Sequence, residues 1–319
     1  MENSTPKTVY IVYMHGYDPY PCFYNVEPGA FITFDYVLKD EIEKAGYTLK
    51  FSNDASNLQD VAAIISWVLT PELIQNLPKY QKERCILLTF EPPIIAPNFF
   101  RPEIKNYFGN IFTTIDDLVD NKTYFKIYVP THTLDYKPER TSFSDKKLCT
   151  LMNSNKTAPH RNELYSERRK AISYFTKTGE FDFYGYGWEN VPGWKGTVGN
   201  KYNTISKYKF CISFENMKNQ RGYISEKIID CFVGDCIPVY YGASNITDYI
   251  PKNCFIDFRE FKSYETLYQF MKNMDQKTYE SYIEAGRNFL TSPQAQPFSK
   301  YYIAQNVMKR VRFANGEVI

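Results

Sequence analysis

The sequence predicts an α/β protein of two domains, and three observations carry that prediction. The chain has 319 residues, about twice the ~150 residues of an ordinary domain. Short apolar runs of strand length alternate with helical stretches throughout, the pattern of α/β layers rather than of an all-β or all-α fold. From Thr131 to Lys147 the pattern lapses into polar sequence around Pro138, which places a linker near residue 145. Two α/β domains of similar size with a cleft between them is the economical organisation.

The first strand is expected over 9–14 and a helix over 32–44. There Phe34, Val37, Leu38, Ile42 and Ala45 make one face and Gly46 supplies the stop. A strand follows at 47–51. Residues 61–69 are apolar without clear period, so a buried strand and a helix both remain open. Pro71 begins a short helix that Pro78 ends, and 85–90 is a buried strand leading into Glu91-Pro92-Pro93. Further strands fit 111–114 and 124–129. Past the linker come a strand at 148–152, a helix at 161–176, a strand at 181–184 and a Gly-rich loop at 185–199. A strand at 209–214, a helix at 223–232 and a strand at 237–241 ending at Gly242 follow. Helices near 264–274, 279–290 and 299–311 close the chain. No internal repeat or low-complexity tract interrupts this order. The domains are therefore expected at 1–145 and 146–298, with 299–319 a terminal helix packing back on the first.

Composition narrows the function classes. Lys plus Arg is 38 and Asp plus Glu is 36, a net charge of +2, which excludes a strongly basic nucleic-acid coat but not a local cationic pocket. The Arg168-Arg169-Lys170 run reads as a solvated helix face, with no nucleic-acid motif beside it. With 28 Tyr, 24 Phe and 3 Trp, the chain has rings for carbohydrate or base stacking, or simply for a large aromatic core. Residues 1–7 lack a charged-then-apolar leader, and no apolar run approaches the ~18 residues of a membrane span. The seven cysteines are odd in number, several lie in apolar runs, and no spacing makes a zinc signature, so they read as reduced core thiols. The Asn-x-Ser/Thr sequons at Asn3, Asn121, Asn155 and Asn245 read as chance, and the chain as cytoplasmic.

The most informative segment runs from Tyr208 to Phe232. An apolar strand ends in Phe214-Glu215-Asn216, a polar loop reverses at Gly222, and a helix begins with Tyr223-Ile224-Ser225-Glu226-Lys227. Ligands of open α/β sheets sit at the carboxyl ends of strands, beside helix N-termini whose free N–H groups favour anions. Ile224, Ile228 and Cys231 share the buried side at i, i+4, i+7. Glu226 suits the positive end of the helix, whereas Lys227 opposes it. A bound diphosphate accounts for a Lys there; a solvated side chain with a dipole penalty of about 0.3–1 kcal/mol accounts for it too.

Phe214-Glu215-Asn216, Tyr223-Ile224-Ser225-Glu226-Lys227 and Ile237-Pro238-Val239-Tyr240-Tyr241-Gly242, with Asp248-Tyr249-Ile250-Pro251 beyond, together resemble the family-10 glycosyltransferases, the α-1,3/1,4-fucosyltransferases. The resemblance is tight from about 148 to 261 and thinner towards the N-terminus. It implies a GT-B fold of two Rossmann-like domains facing each other across a cleft, GDP-fucose as donor, a glycan hydroxyl as acceptor, and inversion at the anomeric carbon. It also implies an acceptor-side first domain and a nucleotide-binding second one. By the same resemblance Glu226 looks like the carboxylate on the ribose and Lys227 like the cation on the diphosphate, with Asn216 and Tyr223 lining the pocket. Asn153-Ser154-Asn155 followed by Arg161 resembles the family's Ser-Asn block and phosphate-binding Arg. Ser225 stands where the family usually has Thr. Some members carry a further Arg in the loop before the Phe-Glu-Asn strand; here Lys195 is the nearest cation, a poorer bidentate phosphate partner. Trp188 and Trp194 fall near the ligand by motif, in a loop whose composition fits a mobile flap.

An inverting transfer needs a base for the acceptor hydroxyl, and cations can stabilise the departing diphosphate without a protonated acid. Glu91 ends the apolar strand at 85–90, and Pro92-Pro93 holds the following chain extended, which makes it the candidate. The family's base occupies an equivalent strand-end Glu. No cofactor or obligatory metal is implied: Asp116-Asp117 reads as a helix N-cap or solvated turn rather than a metal pair. Two alternatives stand beside fucosyl transfer: a glycosyltransferase of the same fold using another nucleotide sugar, and a non-catalytic glycan-binding protein. The presence of Glu91, Glu226 and Lys227 together weighs against the second.

Overall fold

Two all-parallel sheets follow from the alternating strands and helices of the chain. The computed structural model describes residues 7–24, 33–131 and 138–317 and divides into two units: residues 1–132 with 297–319, and residues 133–296. The division lies within the polar stretch 131–147. Residues 1–6, 25–32, 132–137 and 318–319 are outside the described residues, and with them the start of the expected helix at Ile32, the Asn3 sequon and part of the expected linker.

In the first unit, β1 (Thr8–Val12), α1 (Tyr20–Tyr24), α2 (Phe34–Lys44), β2 (Thr48–Ser52), β3 (Val61–Ser66), α3 (Pro71–Asn76), β4 (Cys85–Thr89), β5 (Asn110–Thr113) and β6 (Tyr124–Lys126) follow in order. The sheet runs β2-β1-β3-β4-β5-β6. Every residue of β1, β3, β4 and β5 is buried, as expected when both faces of a parallel sheet are covered. Successive β1 side chains serve opposite faces. Val9 and Ile11 join Leu38 and Ile42 of α2, while Tyr10 and Val12 join Leu73 and Leu77. The segment at 61–69 resolves as strand, and burial on both faces is why it showed no period.

The second unit holds β7 (Lys147–Met152), α4 (Tyr165–Phe175), β8 (Phe181–Tyr184), α5 (Lys201–Ile205), β9 (Tyr208–Phe214), α6 (Glu226–Val233), β10 (Ile237–Tyr241), β11 (Ile256–Asp257), α7 (Tyr264–Lys272) and α8 (Gln276–Leu290). Its sheet runs β11-β10-β9-β7-β8. The expected bounds of β8 and β10 coincide with the observed ones. The expected helix over 161–176 begins only at Tyr165. The chain before it is held by Leu164 N–H to Asn216 O (3.1 Å) and Lys218 N–H to Asn162 O (2.8 Å) instead. The final helix α9 (Lys300–Ala314) belongs to the first unit. It buries Ile303, Ala304, Val307, Met308 and Val311 against the α2 side of that sheet.

Candidate functional site

The strand order of the second unit places its crevice. The chain moves one way from β7 to β8 and then returns to lay β9 on the other side of β7. The carboxyl ends of β7 and β9 therefore flank the switch point, where ligands of open α/β sheets bind. Two loops leave there. The one after β7 carries Ser154 and Arg161; the one after β9 carries Glu215, Asn216 and Tyr223. An antiparallel bridge between Glu163 and Met217, with the two backbone bonds just described, zips them together. Arg161, which is exposed, emerges two residues before that bridge.

The β9 loop sets the start of α6. Glu215 is fully buried and accepts from the Ser225 backbone N–H (2.7 Å) and hydroxyl (2.6 Å). Ser225 is the N-cap of α6, accepting from Lys227 N–H at 3.5 Å, and its Oγ also receives the Lys227 ammonium at 2.9 Å. Lys227 Nζ lies 3.6 Å from Glu215 and 3.7 Å from Glu226, its side chain only 14% exposed. The solvated reading of Lys227 is thus overturned: the ammonium is held at the mouth of the helix between two carboxylates. Behind it, Lys201 bonds Asp230 at 2.5 Å and lies 4.0 Å from Glu226. Burial pulls the Lys201 ammonium's pKa down, but Asp230 and Glu226 outweigh it and the net shift is upward. Burial pushes the Glu215 carboxyl up, opposed by the Lys227 charge and the Ser225 bonds. Gly242 is required beside this cluster, since a Cβ there would come within 2.4 Å of Glu215 Cγ.

Asn216 and Tyr223 lie side by side, Asn216 Nδ2 donating to the Tyr223 hydroxyl at 3.2 Å. The Arg168-Arg169-Lys170 run departs from its solvated reading at its first member. Arg168 is 2% exposed and its Nη2 donates to Phe214 O (2.6 Å) and Asn216 Oδ1 (3.0 Å). Sequence reasoning passed over Arg168, Lys201 and the role of Glu215. A charged residue on a helix reads as solvated unless its partner is known, and Lys201 has no motif at all. The Glu of Phe-Glu-Asn at the end of an apolar strand was the one available signal.

Other expected residues lie apart. Lys195 runs along the edge strand β8, its backbone N–H bonded to Phe183 O (3.0 Å) and its ammonium 3.6 Å from Asp182; β7 separates that strand from β9. Trp188 is buried and donates to Asn153 O at 2.6 Å, and Trp194 donates to Gly185 O at 2.9 Å. These indole N–H bonds pin the 185–199 loop to the sheet. Ser154 is half-buried. Gly185, at φ +131°, passes so close that its Cβ would lie 2.2 Å from Asn153 O. Asp116 opens a 3-10 turn, and its carboxylate takes the half-buried Lys126 ammonium at 2.7 Å. Among the described residues, no group of three or more His, Cys, Asp or Glu is placed to hold a metal.

In the first unit, Glu91 is exposed, just beyond the carboxyl end of β4. Beside it, the ring of Phe90 packs edge-on to Phe34 of α2 at 5.7 Å. The next residue, Asp35, faces a cavity of about 240 Å³ lined by Tyr13, Tyr17, Phe23 and Trp67 among others. Tyr13 and Trp67 follow the carboxyl ends of β1 and β3, the switch point of this sheet. Burial pushes the Asp35 carboxyl up to about 6.

Two parallel-sheet α/β units, the second with the α6 mouth at its switch point, make the GT-B class of glycosyltransferase fold. A crystal structure of an α1,3-fucosyltransferase with GDP shares that fold at TM-score 0.59 and 16% identity, over 98% of this chain and 92% of that one. One of an α1,3-fucosyltransferase with GDP-fucose gives TM-score 0.57 and 15% identity, over 96% and 90%. The profile of glycosyltransferase family 10 (fucosyltransferase), C-terminal region, matches residues 142–305, just over half of the chain, and the chain belongs to that family. Mouse 4-galactosyl-N-acetylglucosaminide 3-alpha-L-fucosyltransferase 9 is 30% identical over 230 residues, 70% of this chain. This chain spans 58% of the length of that relative.

Proposed function

We propose that the chain transfers fucose from GDP-fucose to a hydroxyl of a glycan, with inversion at the sugar's C1. The observation that carries this reading is the mouth of α6, where Ser225, Glu226 and Lys227 stand in family order on a buried Glu215 at the switch point. There Lys227, the N-terminal end of the helix and Arg161 on the adjoining β7 loop suit a diphosphate, and Glu226 suits the ribose hydroxyls. Ser154, Asn216 and Tyr223 would line the same pocket, and Lys195 would serve the donor only if the β8 edge takes part. Glu91 of the first unit is the proposed base, and the aromatic cavity beside Asp35 the proposed seat of an acceptor sugar. In the reaction Glu91 takes the hydroxyl proton as the acceptor oxygen bonds to C1. The bond from C1 to the phosphate oxygen breaks, and GDP departs with its charge held by Lys227 and Arg161. No metal takes part. The seven unpaired cysteines, six of them buried, support a cytoplasmic setting.

An assay of GDP-fucose and two control nucleotide sugars against an acceptor array, with and without EDTA, tests the reading. The expected outcome is transfer from GDP-fucose alone, unchanged by EDTA. Preference for another donor gives a different glycosyltransferase; array glycans bound with no transfer from any donor give a non-catalytic glycan-binding protein.

A further inference from the structure

We propose that Arg168 is a positioning residue for the donor, acting through Asn216. It lies in the first turn of α4, where a cation opposes the helix dipole. At 2% exposure its guanidinium has left water, and burial draws its pKa down. It forms no ion pair with a carboxylate among the described residues, and its Nε, also buried, has no hydrogen-bond partner there. The buried Glu215 charge offsets part of the burial cost, but a buried guanidinium is still costly, and the bonds it makes show what it secures. Nη2 donates to Phe214 O at the last residue of β9 and to Asn216 Oδ1 two residues on, while the guanidinium rests over the Tyr165 ring at 5.0 Å.

Arginine has only donors, so Asn216 must turn its carbonyl oxygen to Arg168 and its NH₂ the other way. That NH₂ meets the Tyr223 hydroxyl, so the guanidinium fixes the polarity of a chain of groups running from α4 into the loop before α6. The same contact ties α4 to the carboxyl end of β9, and with the Glu163–Met217 bridge it holds the two switch-point loops in one arrangement. Without the guanidinium, Asn216 loses the partner that fixes its amide, and the pocket must be ordered by the ligand itself. That cost appears in donor affinity rather than in the chemical step.

The proposal rests on the nucleotide reading of the second unit, and calorimetric titration with GDP separates the two. Wild type, R168M, R168K, N216A and R168M/N216A are titrated, with thermal unfolding and circular dichroism as folding controls. R168M is expected to weaken GDP about ten-fold and to raise the KM for GDP-fucose with kcat changed less than two-fold. Lys reaches one acceptor rather than two, so R168K is expected to lose only about three-fold. Because Arg168 acts through Asn216, the double variant is expected to bind GDP no worse than N216A within two-fold. Wild-type affinity in both Arg168 variants, or losses that multiply in the double variant, overturns the proposal. If R168M does not fold, wild-type GDP affinity in R168K alone overturns it. A wild-type chain that does not bind GDP removes the nucleotide reading and this proposal with it.

Discussion

A single carboxylate carries the proton in the proposed reaction. Glu91 sits at a strand end, exposed, with Phe90 anchored against Phe34 behind it. An inverting displacement with a cation-stabilised leaving group has one indispensable proton acceptor, so removing its charge should act on the chemical step. Glu91→Gln keeps the shape of the side chain and abolishes its basicity. Its kcat is expected to fall about 10²–10⁴-fold with GDP affinity unchanged, measured by steady-state kinetics beside calorimetry. Near-wild-type turnover would remove Glu91 from the base's role. Position on the chain was enough to nominate it, because a Glu after a buried strand and before Pro-Pro emerges at the carboxyl edge of a parallel sheet. Arg168 shows the opposite case: nothing in Arg-Arg-Lys distinguishes the member that folds inward, since its acceptors lie 46 and 48 residues away.

At the scale of an element, α6 depends on one hydroxyl. Ser225 caps the helix, donates to buried Glu215 and receives Lys227. Ser225→Ala removes all three at once and leaves a buried carboxylate one donor short, a loss of roughly 1–3 kcal/mol. It is expected to lower the urea midpoint and weaken GDP binding, whereas Ser225→Thr keeps the hydroxyl and should match wild type in both. Equal effects of Ala and Thr would assign the loss to packing rather than to the hydroxyl. Elements bounded by such local chemistry were legible. Strands β8 and β10 were placed to the residue, since a turn glycine follows each of them. The start of α4 was not: its delay comes from backbone bonds to residues 216–218, a long-range cause that helical periodicity does not register. Nor did β3 announce its type, because all six of its residues are buried and a strand apolar on both faces has no alternation.

At the scale of the whole molecule, the chain returns to the first unit after completing the second. Thr131 N–H bonds Phe298 O at 3.0 Å, and α9 then covers the first sheet beside α2. Of the five apolar side chains that α9 buries there, all at most 3% exposed, the four larger than Ala304 are worth roughly 1.5–3 kcal/mol each. Their sum is on the order of ten kcal/mol, as large as the ~5–15 kcal/mol by which a domain is stable at all. A chain ending at Ser299 should therefore lose the first unit, and with it Glu91 and the Asp35 cavity. The second unit is closed on itself between residues 133 and 296, with its own core around β7, β9 and β10. It should keep the Ser225–Glu226–Lys227 mouth and the Arg168–Asn216 contact intact. Scanning calorimetry of the truncated chain is expected to show one transition that GDP shifts upward, where the full chain also unfolds its first unit. Fucosyl transfer should be absent while GDP affinity stays within about three-fold of the full chain's. Loss of GDP affinity in a truncated chain whose second unit still melts cooperatively would mean that the first unit contributes to the nucleotide site, and the division of labour between the units would have to be redrawn.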